Sequence, residues 1–138
     1  MGFVDERISI SDGQTSYIVR VKSFREKMLS WENGKEIRLK TFSVDGALLK
    51  MEIYPNGMEE GDEGYVSVYI VNQNFFDFAI LFDISMAGMS RIDTDRRLEI
   101  EAHDNYGYPK FLRHSKLRSH HKDKDLEITF TVKRIWRS

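Results

Sequence analysis

Leu49-Lys-Met-Glu-Ile-Tyr-Pro-Asn-Gly57 and Gly64-Tyr-Val-Ser-Val-Tyr-Ile70 decide how this chain folds. In the first stretch Leu49, Met51 and Ile53 alternate with Lys50, Glu52 and Tyr54; in the second, Val66, Val68 and Ile70 alternate with Tyr65, Ser67 and Tyr69. A period of two with one apolar face is the pattern of a half-buried antiparallel strand. Pro55 has no N–H to give a ladder and ends the first arm, and Asn56-Gly57 turns the chain. The alternation sets Tyr69 on the face opposite Val66, Val68 and Ile70, which marks it as an aromatic outside that core.

Working outward, Asp12-Gly13, Asn33-Gly34, Asp45-Gly46 and Asn56-Gly57 punctuate the first half. Each can supply the positive φ of a tight turn, and their spacing suits a sandwich or barrel better than βαβ units. Strands are expected over Ser16 to Ser23, Glu36 to Ser43, Phe75 to Ser85, Asp95 to Ala102 and Leu126 to Trp136. The Phe76, Phe78, Ile80, Phe82, Ile84 series is the strongest strand signal and predicts a central position. Phe24, Met28 and Trp31 recur at helical spacing and predict a short helix plugging one end. Met86 to Met89 and His103 to Pro109 read as loops, and Phe111 to Ser119 as containing a helical turn. The sum is an all-β antiparallel sandwich of about seven or eight strands with one or two short helices.

The 138 residues suit one domain spanning 1–138, which we expect to be taken from a longer protein. A formal net charge of -1 argues against whole-surface attraction to nucleic acid or anionic membrane. There are no cysteines, so disulfides and thiolate chemistry are excluded. No apolar run approaches the roughly 18 residues of a membrane span, and the start is not a signal peptide. A cytoplasmic, or nuclear, location is expected.

Four further pieces carry a resemblance. Tyr17-Ile-Val-Arg-Val-Lys-Ser-Phe24, Met51-Glu-Ile-Tyr-Pro-Asn-Gly57, Tyr65-Val-Ser-Val-Tyr-Ile70 and Asn105-Tyr-Gly-Tyr-Pro-Lys-Phe-Leu112 fall in the order found in MATH domains, the meprin and TRAF homology fold. The finish, His121-Lys-Asp-Lys-Asp-Leu-Glu-Ile128, is similar to that family's approach to its last strand. The resemblance implies an eight-stranded sandwich, no enzyme activity, no cofactor, and docking of short extended peptides in a shallow groove at one sheet edge. It implies that Tyr69, Phe76, Tyr106 and Tyr108 wall the groove, with Glu52 and Asn105 beside it. Tyr106 stands where the family has Trp, Tyr108 where it has Phe, Glu52 where substrate adaptors carry Arg, and Asn105 where Asp is usual. Glu52 and Asp104 make a basic peptide the expected ligand. The companions of such domains imply a ubiquitin-pathway or signalling protein. The alternatives are a self-associating module of a trimeric adaptor and a carbohydrate-binding sandwich. Residues 2–14 carry no heptads, so the isolated domain is expected to be a monomer.

Other clusters read as ordinary surface. Glu59, Glu60, Asp62 and Glu63 lack the ligand spacing of a calcium loop and read as a solvated acidic turn. His103, His114, His120 and His121 lack metal-ligand spacing. Lys110, Arg113, Lys116, Arg118, Lys122 and Lys124 read as a solvated face, with too few interleaved aromatics for a nucleic-acid platform. No Gly-x-Ser-x-Gly elbow or glycine-rich phosphate loop is present.

Overall fold

A computed structural model describes residues 4–86, 89–92, 97–120 and 125–137. Ten strands are described: β1 Val4–Ser11, β2 Gln14–Val21, β3 Phe42–Val44, β4 Ala47–Tyr54, β5 Tyr65–Asn72, β6 Phe78–Met86, β7 Met89–Ile92, β8 Leu98–Ile100, β9 Asn105–Arg113 and β10 Leu126–Arg137. Two short helices, α1 Phe24–Ser30 and α2 His114–His120, and a 3-10 turn at Glu60–Asp62 complete the fold.

The strands form two antiparallel sheets. One runs β1-β2-β10-β6-β7, with β8 also paired to β6; the other runs β3-β4-β5-β9. The expected antiparallel sandwich is what the alternation builds. Leu49, Met51 and Ile53 of β4, Val66, Val68 and Ile70 of β5, Phe78, Ile80, Phe82 and Ile84 of β6, and Leu126, Ile128, Phe130 and Val132 of β10 all turn inward and are buried. A chain of rings stitches the layers together. Tyr17 stacks on Phe42 at 4.5 Å, Phe42 meets Phe130 edge-on at 6.0 Å, Phe130 meets Phe82 at 5.4 Å, and Phe82 meets Tyr106 at 6.4 Å. Rings at such separations and angles add to the area they bury.

Several expected boundaries are corrected. The strand expected over Glu36 to Ser43 is a single bridge, Ile37 to Ile53, followed by the three-residue β3. The run expected from Phe75 begins ladder pairing only at Phe78, because Asn72 and Asn74 first turn the chain. Val4–Ser11 was not expected as a strand, yet it pairs along its whole length with β2. His103 to Pro109, expected as a loop, largely belongs to β9. Of the loop expected around Gly88, residues 87 and 88 lie outside the described residues, and Met89 already belongs to β7.

α1 sits beyond β2. Ser23 takes a left-handed conformation (φ 55°), and its N–H donates to Asp125 Oδ1 at 2.9 Å, tying the start of the helix to the start of β10. α2 follows β9 directly. His114 at its start is buried: its N–H donates to the Gly64 carbonyl at 2.9 Å, and its Nε2–H donates to the Pro55 carbonyl at 2.6 Å. The ladder between β5 and β9 breaks register between Val66 and Val68, opposite Leu112 and Tyr108. A bulge of this kind kinks a margin strand and releases residues from pairing. Here the Ser67 hydroxyl donates to the Pro109 carbonyl at 2.5 Å and holds the bulge.

Candidate functional site: the β9 margin

β9 pairs with β5 and, among the described residues, with no other strand, so one of its backbone edges is open. Pro109 fits this position, since a proline cannot feed a second ladder. Tyr106 and Tyr108 lie opposite Ile70 and Val68, on the inner side of the sheet. Both are half-buried and packed on the core, with Tyr106 and Tyr108 edge-on at 5.7 Å and Tyr108 against Phe111 at 5.9 Å.

Gly107, between them, lies opposite Tyr69. Tyr69 points to the outer face, as the alternation requires, and its ring lies flat across the Gly107 backbone; a Cβ there would stand within 2.6 Å of the Tyr69 Cγ. Tyr69 is only 9% exposed. It is covered on one side by Tyr54, edge-on at 5.9 Å, whose hydroxyl donates to Glu52 Oε1 at 3.1 Å. Burial pushes the Tyr69 phenol above its ordinary range, and the carboxylates of Asp62, Glu59 and Glu52 push it further. The same happens to Tyr54, through burial and then Glu52 and Glu36. The outer face beside Gly107 is therefore electronegative.

Asp62 is not part of a solvated turn. It is buried, and it exchanges hydrogen bonds with Glu59: the Asp62 N–H donates to the Glu59 carbonyl at 2.8 Å, and Asp62 Oδ2 accepts the Glu59 N–H at 3.3 Å. Gly57 packs so tightly on Asp62 that a Cβ would come within 2.6 Å of its carbonyl carbon. With the Met58 N–H donating to Ser67 Oγ at 3.1 Å, the acidic loop is folded down onto the outer face of β5.

The six expected site residues are thus divided. Tyr106 and Tyr108 flank the β9 margin from the inner side, and Tyr69 supports it from the outer side. Glu52 lies beside Tyr69 on β4, and Asn105 is exposed at the start of β9, opposite Val71. Phe76 belongs to neither β5 nor β9. It lies in the β5–β6 connection under the Arg137 guanidinium, 4.2 Å from its ring, and Arg137 also donates to the Gly46 carbonyl in the β3–β4 turn. β3 is at the other margin of that sheet. Phe76 therefore lies off the paired strands, two residues before β6 begins. Sequence reasoning missed Gly107 and Tyr54. A glycine between two tyrosines in a strand is itself a sign of close backbone approach.

The margin has a second pole at its far end. Tyr65 is flanked by Lys110 Nζ at 5.5 Å and by the Arg113 guanidinium at 5.7 Å, and Arg113 Nε–H donates to the Tyr65 hydroxyl at 3.1 Å. Asp104 directly precedes β9 at one end and Lys110 and Arg113 lie at the other, while Glu52 lies across β5 in the row of Gly107 and Lys50 in the row of Asn105.

The family model described as MATH domain matches residues 16–132. The chain belongs to the MATH domain family. MATH domains are protein-interaction modules, and the two-sheet sandwich is of MATH type. No curated protein matches the chain. Among the described residues of this MATH domain, no three His, Asp or Glu side chains gather as metal ligands, and no helix is long and apolar enough to cross a membrane. His121, Lys122 and Lys124 lie outside the described residues, as do the side chains of Ser119 and His120.

Proposed function

We propose that the β9 margin takes a short extended peptide as an added strand, and that this docking serves a larger ubiquitin-pathway or signalling protein. The observation that carries this reading is the open edge of β9 with a tyrosine support on each of its faces. An extended peptide satisfies its backbone groups on such an edge and sends alternate side chains to its two faces. Residues on the inner side meet Tyr106 and Tyr108; residues on the outer side meet the Gly107 surface that Tyr69 supports.

The charge along the edge supports a peptide with a basic residue at the Asn105 end, where Asp104 lies. Acidic residues are better received near Lys110 and Arg113. Affinity is expected in the micromolar range, since a short peptide covers little surface and must be ordered on docking. A cytoplasmic or nuclear setting belongs to the same proposal. The test is an array of extended peptides that vary charge at each end, read against Tyr106→Ala and Tyr108→Ala. Binding that favours acidic residues throughout, or that ignores both substitutions in a folded domain, overturns it.

A further inference from the structure

β1 is the outermost strand of its sheet: it pairs with β2 and, among the described residues, with no other strand. Its register with β2 runs unbroken from Val4 to Ser11. A long, flat margin offers a row of backbone donors and acceptors to any second strand, and folded proteins blunt such margins with proline, lysine, a bulge or an inward-pointing charge. The β9 margin carries Pro109, Lys110 and a register break. β1 has no proline, no lysine and no break. Its one inward charge, Glu6, is already engaged, accepting from the Tyr17 hydroxyl and from the Lys40 N–H. Ile8 and Ile10 stand on the inner side, opposite Tyr17 and Thr15, yet they are 49% and 75% exposed, because the facing sheet is narrower. Single exposed apolar residues need no explanation. Two on one face of an unblunted margin do.

What fits this margin can be read from β1 itself, Val-Asp-Glu-Arg-Ile-Ser-Ile-Ser. A second copy related by a two-fold axis normal to the sheet lays its own β1 alongside, antiparallel, with inner faces together. The pleat then requires the axis to pass through a residue. An axis at Asp5, Glu6 or Arg7 sets that charge against itself, which destabilises a cross-strand pair. An axis at Ile8 sets Glu6 against Ile10. An axis at Ile10 overlaps only Ser9 to Ser11 and leaves Ile8 facing the Asp12-Gly13 turn. An axis at Ser9 overlaps Arg7 to Ser11 and has none of these faults. It places Ile8 against Ile10 twice on the inner face, and β-branched pairs so placed are favourable. On the outer face it places Ser9 against Ser9 and Arg7 against Ser11, so that each Arg7 stands beside the other copy's Asp12, a charge of opposite sign.

We propose that β1 is a self-association edge: the β1 strands of two copies pair antiparallel about Ser9, joining their larger sheets into one and covering Ile8 and Ile10. The same surface is used on both copies, so the contact closes at a dimer. It departs from the monomer that the sequence led us to expect, and it is independent of the β9 margin.

Sedimentation of the domain from micromolar to millimolar concentration tests this. The expected result is a monomer–dimer equilibrium with no larger species. Ile10→Lys weakens it by more than about tenfold, because it puts a charge into the centre of the contact. Its melting curve at low concentration stays in place, since the side chain is already in solvent. Tyr106→Ala leaves association unchanged. Cross-linking then reads the register. The chain has no cysteine, so a single one placed in β1 can bridge only to its own copy. Ser9→Cys yields a disulfide-linked dimer under mild oxidation, because facing residues of an antiparallel pair stand about 4.5–5.5 Å apart at Cα, within reach of a disulfide. Ile8→Cys and Arg7→Cys lie two and four residues out of step with themselves and link far more slowly. A domain that stays monomeric at millimolar concentration overturns the proposal. So does a dimer indifferent to Ile10→Lys or abolished by Tyr106→Ala, and so does cross-linking at Ile8→Cys or Arg7→Cys as fast as at Ser9→Cys.

Discussion

The ring of Tyr69 lies across Gly107 with no space for a side chain between them. This one relationship joins β5 to the margin strand β9 and fixes the outer surface of the candidate groove. Gly107→Ala forces the ring to move or the margin to bow outward, and overpacking of this kind costs about 1–3 kcal/mol. The double variant Gly107→Ala, Tyr69→Ala recovers part of that loss. Urea unfolding of the two single variants and the double variant, treated as a cycle, measures the coupling.

Asn72 holds four bonds in the β5–β6 connection, three of them buried. Asn72→Ala leaves buried donors and acceptors unmade, and a loss of about 3 kcal/mol or more is expected. Phe75→Ser, three residues on, changes stability by no more than about 0.5 kcal/mol, because the ring it removes is already in solvent. Thermal melts of the two variants side by side separate the holding residue from the held one.

His114 makes stability depend on pH. Burial holds its imidazole below the ordinary histidine value of 6.5, with Arg118 adding to the effect, against the opposing pull of the Pro55 and Tyr65 backbone. The unfolded chain therefore takes up this proton first as pH falls. The stability tied to the neutral ring is complete above about pH 6.5 and is lost as pH drops through that value toward the folded pKa. His114→Gln keeps a donor for the Pro55 carbonyl and removes the titration. Its midpoint in urea should fall less than that of the unsubstituted domain between neutral and mildly acidic pH, measured at constant ionic strength.

What the sequence made legible follows from where each strand sits. β4, β5, β6 and β10 each bury one face against the other layer, so their alternation is clean, and Tyr69 could be assigned to the outer face from Val66, Val68 and Ile70 alone. The margins were hidden for the opposite reason. β1 overhangs the narrower sheet: Ile8 and Ile10 sit on its inner face but are exposed, and Asp5, Glu6 and Arg7 break any apolar series. In β9 the Asn-Tyr-Gly-Tyr-Pro run carries turn residues that a margin tolerates and an inner strand does not. The site was legible to the same degree. Tyr106 and Tyr108 are at the margin together, whereas Phe76 was expected within a strand and lies instead beside the asparagine turn, a tertiary network closed by Leu48 and Ile100 far away in sequence.

Tyr106 and Tyr108 each expose part of a ring beside the open edge, and each should matter to peptide binding. Substitution of either by Ala is expected to weaken binding by about tenfold or more, as loss of a central aromatic contact commonly does. Stability should fall as well, since both rings pack on the core. Binding isotherms taken well below each variant's melting temperature keep the two effects apart.

The most direct measurement is an amide NMR titration with an extended peptide carrying a basic residue at the end that meets Asn105. Strand addition predicts the largest shifts along Asn105–Arg113, with slowed hydrogen exchange at the β9 amides that face away from β5, and smaller shifts at Tyr69 and Glu52. Shifts confined to β1, α1 or the Phe75 turn, with β9 exchange unchanged at saturation, would contradict the account.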